Sequence, residues 1–250
     1  MAGKPKKTRL DVAMVERGLV DSRTRAQALI MAGLVYRDTL RLDKASVMVV
    51  PTDDIILKGK DHPWVSRGGV KLAHGLAHFK FDPTGMTCMD VGASTGGFTD
   101  VLLTNGASKV YAVDVGHGQL DWKLRNDDRV VVLEKTNARH LTNAEIPETL
   151  DAIVCDASFI GLQTVLPAAM SLAKPGAFMI ALIKPQFEVG RDQVGKGGVV
   201  RDPELHAQVC DKIETWLNGC EGWQVMGISQ SPIKGPEGNV EFLIGARRES

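Results

Sequence analysis

The chain has 250 residues, 44% of them hydrophobic and 24% charged, and its thirty basic and thirty acidic side chains leave no formal net charge. That composition is ordinary for a folded globular chain and excludes extended disorder. The longest apolar run, residues 177–183, is far shorter than the ~20 residues that cross a bilayer. With no apolar segment near its start for a secretory signal, the chain is read as non-membrane. Four cysteines without Cys-x-x-Cys spacing, of which Cys88 and Cys155 sit in apolar runs, predict small buried thiols in a reduced, cytoplasmic protein. The zero net charge hides an asymmetry. Residues 1–60 hold twelve basic and seven acidic side chains, a surplus of five positive charges balanced by the remainder. A basic module on a near-neutral body is one reading, and an ordinary solvated surface is the other.

In chain order, residues 8–33 predict two helices. Thr8 and Asp11 have the spacing of a capping box, Leu10, Ala13 and Met14 form an apolar stripe, and Gly18 is the expected stop. A second helix starts at Asp21 or Ser22, turns Ala26, Leu29 and Ile30 inward, and ends at Gly33. Short β-like runs follow at 34–36, 46–50 and 55–57. Residues 1–60 are therefore expected to form a small α+β domain, 61–65 a linker marked by Pro63, and 66–250 a second domain. From residue 87 apolar strands at 87–91, 109–113, 130–134, 152–155 and 178–183 alternate with helical segments, which predicts an α/β, Rossmann-like parallel sheet. Residues 223–229 and 241–246 flank a loop and predict an antiparallel hairpin at the sheet edge.

The first strand of this sheet runs into Asp90-Val91-Gly92-Ala93-Ser94-Thr95-Gly96-Gly97-Phe98, where glycines let the backbone turn and approach a ligand at a helix start. Asp114 ends the next strand, about twenty residues on, where a carboxylate suits both hydroxyls of a ribose. Such a turn can serve NAD, FAD or S-adenosylmethionine, and a purely structural turn is the plain alternative. Two details favour S-adenosylmethionine. The pattern is Asp-x-Gly-x-x-x-Gly-Gly rather than Gly-x-Gly-x-x-Gly, and Asp90 suits a methionine amino end where it would repel a pyrophosphate. Asn137 follows the third strand and is placed to meet the adenine, a turn-capping role being the alternative.

Ligands of such sheets bind at the carboxyl ends of the strands. Asp156 and Lys184 both end apolar strands there, Lys71 lies just before the first strand, and Glu241 opens the last. Methyl transfer to a ribose hydroxyl needs that weak nucleophile oriented and relieved of its proton, which a lysine of lowered pKa held by carboxylates can do. Taken singly, each of the four reads as a surface charge. His74 and His78 are spaced to share a helix face but lack a third ligand, so no metal is expected.

On these motifs, residues 66–247 resemble an FtsJ-type ribose methyltransferase domain, whose Lys-Asp-Lys-Glu tetrad matches Lys71, Asp156, Lys184 and Glu241. Ser66-Arg67-x-x-x-Lys71-Leu72 matches its opening element. Residues 8–58 are similar to the RNA-binding domain first described in ribosomal small-subunit protein four. Together with Asp-Val-Gly-Ala-Ser-Thr-Gly-Gly-Phe-Thr and Lys-Pro-Gln-Phe-Glu, they resemble the TlyA family of rRNA cytidine 2′-O-methyltransferases, also called haemolysin A. In the linker some relatives have Arg-x-Trp-Val, whereas here His62-Pro63-Trp64-Val65 has no permanent cation at its first position. The resemblance implies S-adenosylmethionine as cofactor, Lys184 as the group that deprotonates the 2′-hydroxyl, Asp156 as its orienting partner, and Lys71 and Glu241 as positioning groups. It also implies ribosomal RNA, in ribosomal subunits, as the partner, held by Arg9, Arg23, Arg25 and Lys44 through phosphates, with Arg67 added. Lys196 and Arg201 are candidates to close over a flipped-out target nucleotide, a mobile surface loop being the alternative. Two other functions stay open: a non-catalytic RNA-binding or ribosome-assembly factor, and a membrane-active haemolysin.

Overall fold

The computed structural model describes residues 7–20, 22–57, 62–235 and 238–249, so that Asp21, named above as a helix start, and the first residue of the 61–65 linker lie outside the described residues. Contacts divide the chain into two units, Met1–Pro63 and Trp64–Ser250. The first contains β1 (Thr8–Arg9), α1 (Leu10–Glu16), α2 (Arg23–Met31), β2 (Val35–Arg37), β3 (Leu40–Arg41), β4 (Met48–Val49) and β5 (Ile55–Leu57). Strand β1 pairs with β4, and β2 lies between β3 and β5, all antiparallel. Leu10, Ala13, Met14, Ala26, Ile30, Val35 and Val49 make the core, as the apolar stripes require. Both helices stop at the predicted glycines: Leu19 N–H closes back on the Met14 carbonyl past Gly18, and Leu34 N–H on Leu29 past Gly33.

The start of α1 corrects the sequence reading. Thr8 and Asp11 do not form a capping box, because Thr8 is drawn into β1 and the helix is preceded by Arg9 with no side-chain cap. Asp11 is wholly buried and accepts hydrogen bonds from Arg9 at 3.0 and 3.2 Å, from Arg23 at 2.9 Å and from Gln27 at 2.9 Å. A carboxylate out of water gains more from two guanidinium groups than from neutral backbone donors. Arg9 foremost, then Gln27 and Arg23, holds the Asp11 carboxyl well below the usual range. At the next start Ser22 does cap, its hydroxyl accepting from Arg25 N–H at 3.2 Å.

The second unit runs α3 (Gly68–Phe79), β6 (Thr87–Val91), α4 (Gly97–Thr104), β7 (Lys109–Val113), α5 (Trp122–Arg125), β8 (Val130–Leu133), β9 (Leu150–Cys155), α6 (Leu162–Ser171), β10 (Ala173–Ile183), α7 (Pro185–Glu188), α8 (Pro203–Asn218), β11 (Trp223–Gln230) and β12 (Phe242–Arg248). Its seven-stranded sheet has the order β11-β12-β10-β9-β6-β7-β8. The strands from β10 to β8 are parallel, and β12 runs antiparallel to both β10 and β11, the predicted edge hairpin. Helices cover both faces, which is why the central strands read as unbroken apolar runs rather than alternating ones. Leu72 and Leu76 of α3 and Val101 and Leu102 of α4 pack in one layer, while Val165 of α6 and Val209 and Ile213 of α8 pack in the other.

The chain winds outward from β6 through β7 to β8, then returns to β9 on the other side of β6. That reversal opens a crevice beyond the carboxyl ends of β6 and β9. Cys88, near the start of β6, and Cys155, at the end of β9, are fully buried, and burial pushes both thiols up to about 12. Cys210 is pushed up to about 11 and Cys220 is also raised, again by burial. All four cysteines are free. No helix among the described residues is long and apolar enough to cross a membrane.

Candidate active site

The loop after β6 turns at Gly92, where φ is +82° and a Cβ would stand 2.8 Å from the Ala157 Cα. Only glycine therefore lets the loops after β6 and β9 touch. Asp114, at the end of β7, steadies the same loop: one carboxylate oxygen accepts Ser94 N–H at 2.7 Å and the other Gly116 N–H at 2.6 Å. Asp90 lies wholly inside. Its Oδ2 accepts Thr99 N–H at 2.9 Å and the Thr99 hydroxyl at 2.7 Å, while its buried Oδ1 has no hydrogen-bond partner among the described residues. Burial pushes the Asp90 carboxyl up to about 7 against the pull of those Thr99 bonds.

Two cavities adjoin at this crevice and share Gly92, Ser94, Asp156 and Ser158. The larger, about 700 Å³, includes Asp114, Gly116, Asn137 and Phe159 in its wall. The smaller, about 340 Å³, is lined by Asp90, Ala93, Thr95, Gly97 and Phe98 of the loop, and by Arg67, Lys71, Lys184 and Lys234. Gly96 borders neither; it begins α4 with φ +92°. Asn137 caps the turn at 138–140, its side-chain oxygen accepting Arg139 N–H at 3.2 Å, and it also lines the larger cavity.

Lys71, Asp156, Lys184 and Glu241 form one continuous chain of charges. Glu241 Oε2 meets Lys71 Nζ at 2.6 Å, Lys71 Nζ stands 3.9 Å from Asp156 Oδ2, and Asp156 Oδ1 meets Lys184 Nζ at 2.7 Å. Lys184 Nζ also donates to the Asp156 carbonyl at 3.1 Å and to Ser158 Oγ at 2.8 Å. Lys71, Lys184 and Glu241 are buried, so the ionic partners are what make their charges tolerable. Glu241 does not open β12, as the sequence suggested; it stands one residue before it, where its carbonyl accepts Ser231 N–H at 2.9 Å and closes the loop.

Residues 64–248 match the FtsJ-like methyltransferase family, and residues 8–55 match the S4 domain. The 16S/23S rRNA (cytidine-2′-O)-methyltransferase TlyA of Mycobacterium tuberculosis is 47% identical over 246 residues, 98% of this chain and 91% of that protein. This chain belongs to the TlyA family. Hemolysin A of Brachyspira hyodysenteriae is 40% identical over 239 residues, covering 94% of this chain and 98% of its own. A solved structure named as a hemolysin, from Streptococcus thermophilus, superposes with a TM-score of 0.76 at 41% identity, covering 99% of this chain and 90% of that one.

The remaining expectations for this TlyA-family protein divide. Arg67 reaches the rim of the smaller cavity, and Arg25 and Lys44 are exposed on the first unit. Arg9 and Arg23 are half-exposed, with part of each guanidinium committed to Asp11. Lys196 and Arg201 are exposed and line neither cavity. The Asn239 side chain ties their loop, accepting Val200 N–H at 3.1 Å and donating to the Gly198 carbonyl at 3.0 Å. His74 bonds Ser229 Oγ at 3.0 Å and stacks on His78, and no metal-holding group occurs among the described residues. Sequence reasoning missed Ser158, Thr99, Phe159 and Lys234. Phe159 is 90% exposed with φ +65°, its ring 5.1 Å from that of Phe187 beside Lys184. An aromatic left in water on left-handed backbone was the available signal, yet it needs coordinates to be seen.

Proposed function

We propose that this protein transfers a methyl group from S-adenosylmethionine to the 2′-hydroxyl of a cytidine in ribosomal RNA, in the cytoplasm. The observation that carries the reading is the unbroken chain Glu241–Lys71–Asp156–Lys184, whose last member opens on the same cavity as the Asp90–Phe98 loop. The names of the TlyA relatives supply the cytidine and the ribosomal RNA.

The cleft suits the cofactor. The unpaired Asp90 Oδ1 is an acceptor waiting for a cationic donor, as the methionine ammonium is. Asp114 and Asn137 border a cavity of about 700 Å³, within the ~300–1,000 Å³ typical of ligand sites. Asp114 would take the ribose hydroxyls and Asn137 the adenine edge, with Gly92, Ala93, Ser94, Thr95, Gly96, Gly97 and Phe98 shaping the passage between the cavities. S-adenosylmethionine supplies a methyl group on a sulfonium. Everything else falls to the protein. Lys184 Nζ is ion-paired with Asp156 Oδ1 and donates hydrogen bonds to the Asp156 carbonyl and to Ser158 Oγ. The incoming 2′-hydroxyl takes the place of the neutral Ser158 hydroxyl; Lys184, oriented by Asp156 and having released one proton to solvent, takes the hydroxyl proton on its neutral amine as the methyl passes from the sulfonium to the 2′-oxygen and leaves a neutral thioether. Lys71 and Glu241 hold Asp156 in turn.

Residues 1–60 are the RNA-docking domain in this reading, 61–65 the linker and 66–250 the catalytic domain. Arg9, Arg23, Arg25 and Lys44 grip phosphates, with Arg67 and Lys196 contributing from the second domain. Transfer of labelled methyl from S-adenosylmethionine to ribosomal subunits, mapped to a cytidine 2′-oxygen, is the expected result. A pure, folded protein that labels neither subunit ends the proposal.

A pH dependence follows from Asp90. Its carboxyl sits at about 7, and only the ionised form attracts the ammonium. Cofactor affinity should therefore rise with pH up to about 7 and fall roughly tenfold per unit below it. Calorimetric titration on either side of neutral checks this, and Asp90→Asn should bind weakly with a flat profile; a flat wild-type profile contradicts the assignment.

A further inference from the structure

We propose that Lys234 is the binding site for the phosphodiester that adjoins the target ribose. The inference rests on the methyl-transfer reading above and extends it to a group that reading leaves unassigned. Four cations line the smaller cavity: Arg67, Lys71, Lys184 and Lys234. Two are already spent. Lys71 lies 2.6 Å from Glu241, and Lys184 lies 2.7 Å from Asp156. Among the described residues, neither Arg67 nor Lys234 enters an ion pair, and both are exposed at the cavity rim. A ribose in an RNA strand carries its 2′-hydroxyl next to the carbon that bears the 3′ phosphate. Whatever places that hydroxyl beside Lys184 thus brings a full negative charge to the rim of a cavity that also holds Asp90 and Asp156. Without a free cation the strand would be repelled at the moment its oxygen is aligned.

Position separates the two free cations. Arg67 sits directly before α3 on the cofactor side, since a Cβ on Gly97 would touch Gly68 Cα at 3.2 Å. Lys234 lies beside Glu241, next to Gly235, where any side chain would collide with the Glu241 carboxylate. The described residues around it are hydrogen-bonded. Ser231 N–H reaches the Glu241 carbonyl at 2.9 Å, Ser231 Oγ bonds the Ile233 carbonyl at 2.7 Å, and Gly235 N–H reaches the Asn239 carbonyl at 2.9 Å. A cation on a braced loop loses less freedom on meeting a phosphate than one on a free tether. Lys234 thus stands at the Glu241 end of the charge chain, in the wall of the same cavity as Lys184.

The test compares wild type, Lys234→Gln, Lys234→Glu and Lys234→Arg with ribosomal subunits as substrate. For Lys234→Gln the KM for subunits should rise on the order of tenfold, and the salt slope of binding should flatten by about 1, as for loss of one phosphate contact. Lys234→Glu should be worse, Lys234→Arg near wild type, and calorimetric affinity for S-adenosylmethionine unchanged in all. An unaltered KM and salt slope in Lys234→Gln overturn the assignment. So does a selective loss of S-adenosylmethionine affinity, which would place Lys234 on the cofactor carboxylate. If the wild-type protein itself labels no subunit, the methyl-transfer reading fails and this inference with it.

Discussion

Replacing Lys184 by alanine should lower methyl transfer to ribosomal RNA by roughly 10²–10⁴, the usual cost of losing an acid–base group, while cofactor affinity stays near wild type. The two effects separate because Lys184 faces the smaller cavity, together with Asp156 and Ser158, and is absent from the wall of the larger one that Asp114 and Asn137 border. Alanine removes the ammonium and its contacts to Asp156 and Ser158, but leaves the Asp114–Ser94 and Asp90–Thr99 bonds that shape the cofactor loop. Single-turnover kinetics at saturating cofactor, paired with calorimetry, is the measurement. Turnover at the wild-type rate would remove Lys184 from the chemistry. Loss of cofactor binding to the same extent as rate would reassign it to the donor.

The second large effect concerns stability. Glu241→Ala should destabilise the second unit by about 3–5 kcal/mol, because it strands the buried Lys71 ammonium without its 2.6 Å partner. The remaining carboxylate, Asp156 at 3.9 Å, is too distant for a hydrogen bond. The double variant Lys71→Met/Glu241→Leu offers the contrast. Apolar side chains of similar volume in place of a buried ion pair are often neutral or stabilising. The double variant should therefore regain most of the lost stability and still transfer no methyl. Denaturant unfolding and methyl-transfer assays side by side decide the matter. If the double variant is as unstable as Glu241→Ala, the pair matters for packing rather than charge; if it is active, the pair is not part of the site.

Much of this was legible in the sequence because local rules governed it. The central parallel strands are buried on both faces and β8 is half-buried at the edge, so their apolar runs stood out, and Gly18 and Gly33 ended their helices as their backbone freedom requires. Lys71, Asp156, Lys184 and Glu241 could be named through family motifs, although they span 170 positions and no local spacing joins them. What failed was decided by distant partners. Asp11 looked like half of a capping box, but Arg23 and Gln27 lie twelve and sixteen residues away and outbid the helix end for it. Strand β3, only two residues long at Leu40–Arg41, is too short for alternation to register. Nothing near Lys196 announces that Asn239, some forty residues on, ties the loop through Val200 and Gly198. Ser158 and Lys234 are ordinary residues in ordinary loops until the fold sets them at the mouth of the cavity.

The cysteines carry a practical consequence. All four fall in the second unit, and burial suppresses ionisation of every one, with Cys88 and Cys155 at about 12. At neutral pH a thiol of that acidity is a thiolate only about once in 10⁵ molecules, whereas an unfolded cysteine returns to about 8.5. Alkylating dyes should therefore pass over Cys88 and Cys155 in the native protein and label them as the sheet opens. That makes thiol labelling a built-in gauge for one half of the chain, blind to melting of the S4 half, which has no sulfhydryl to report it.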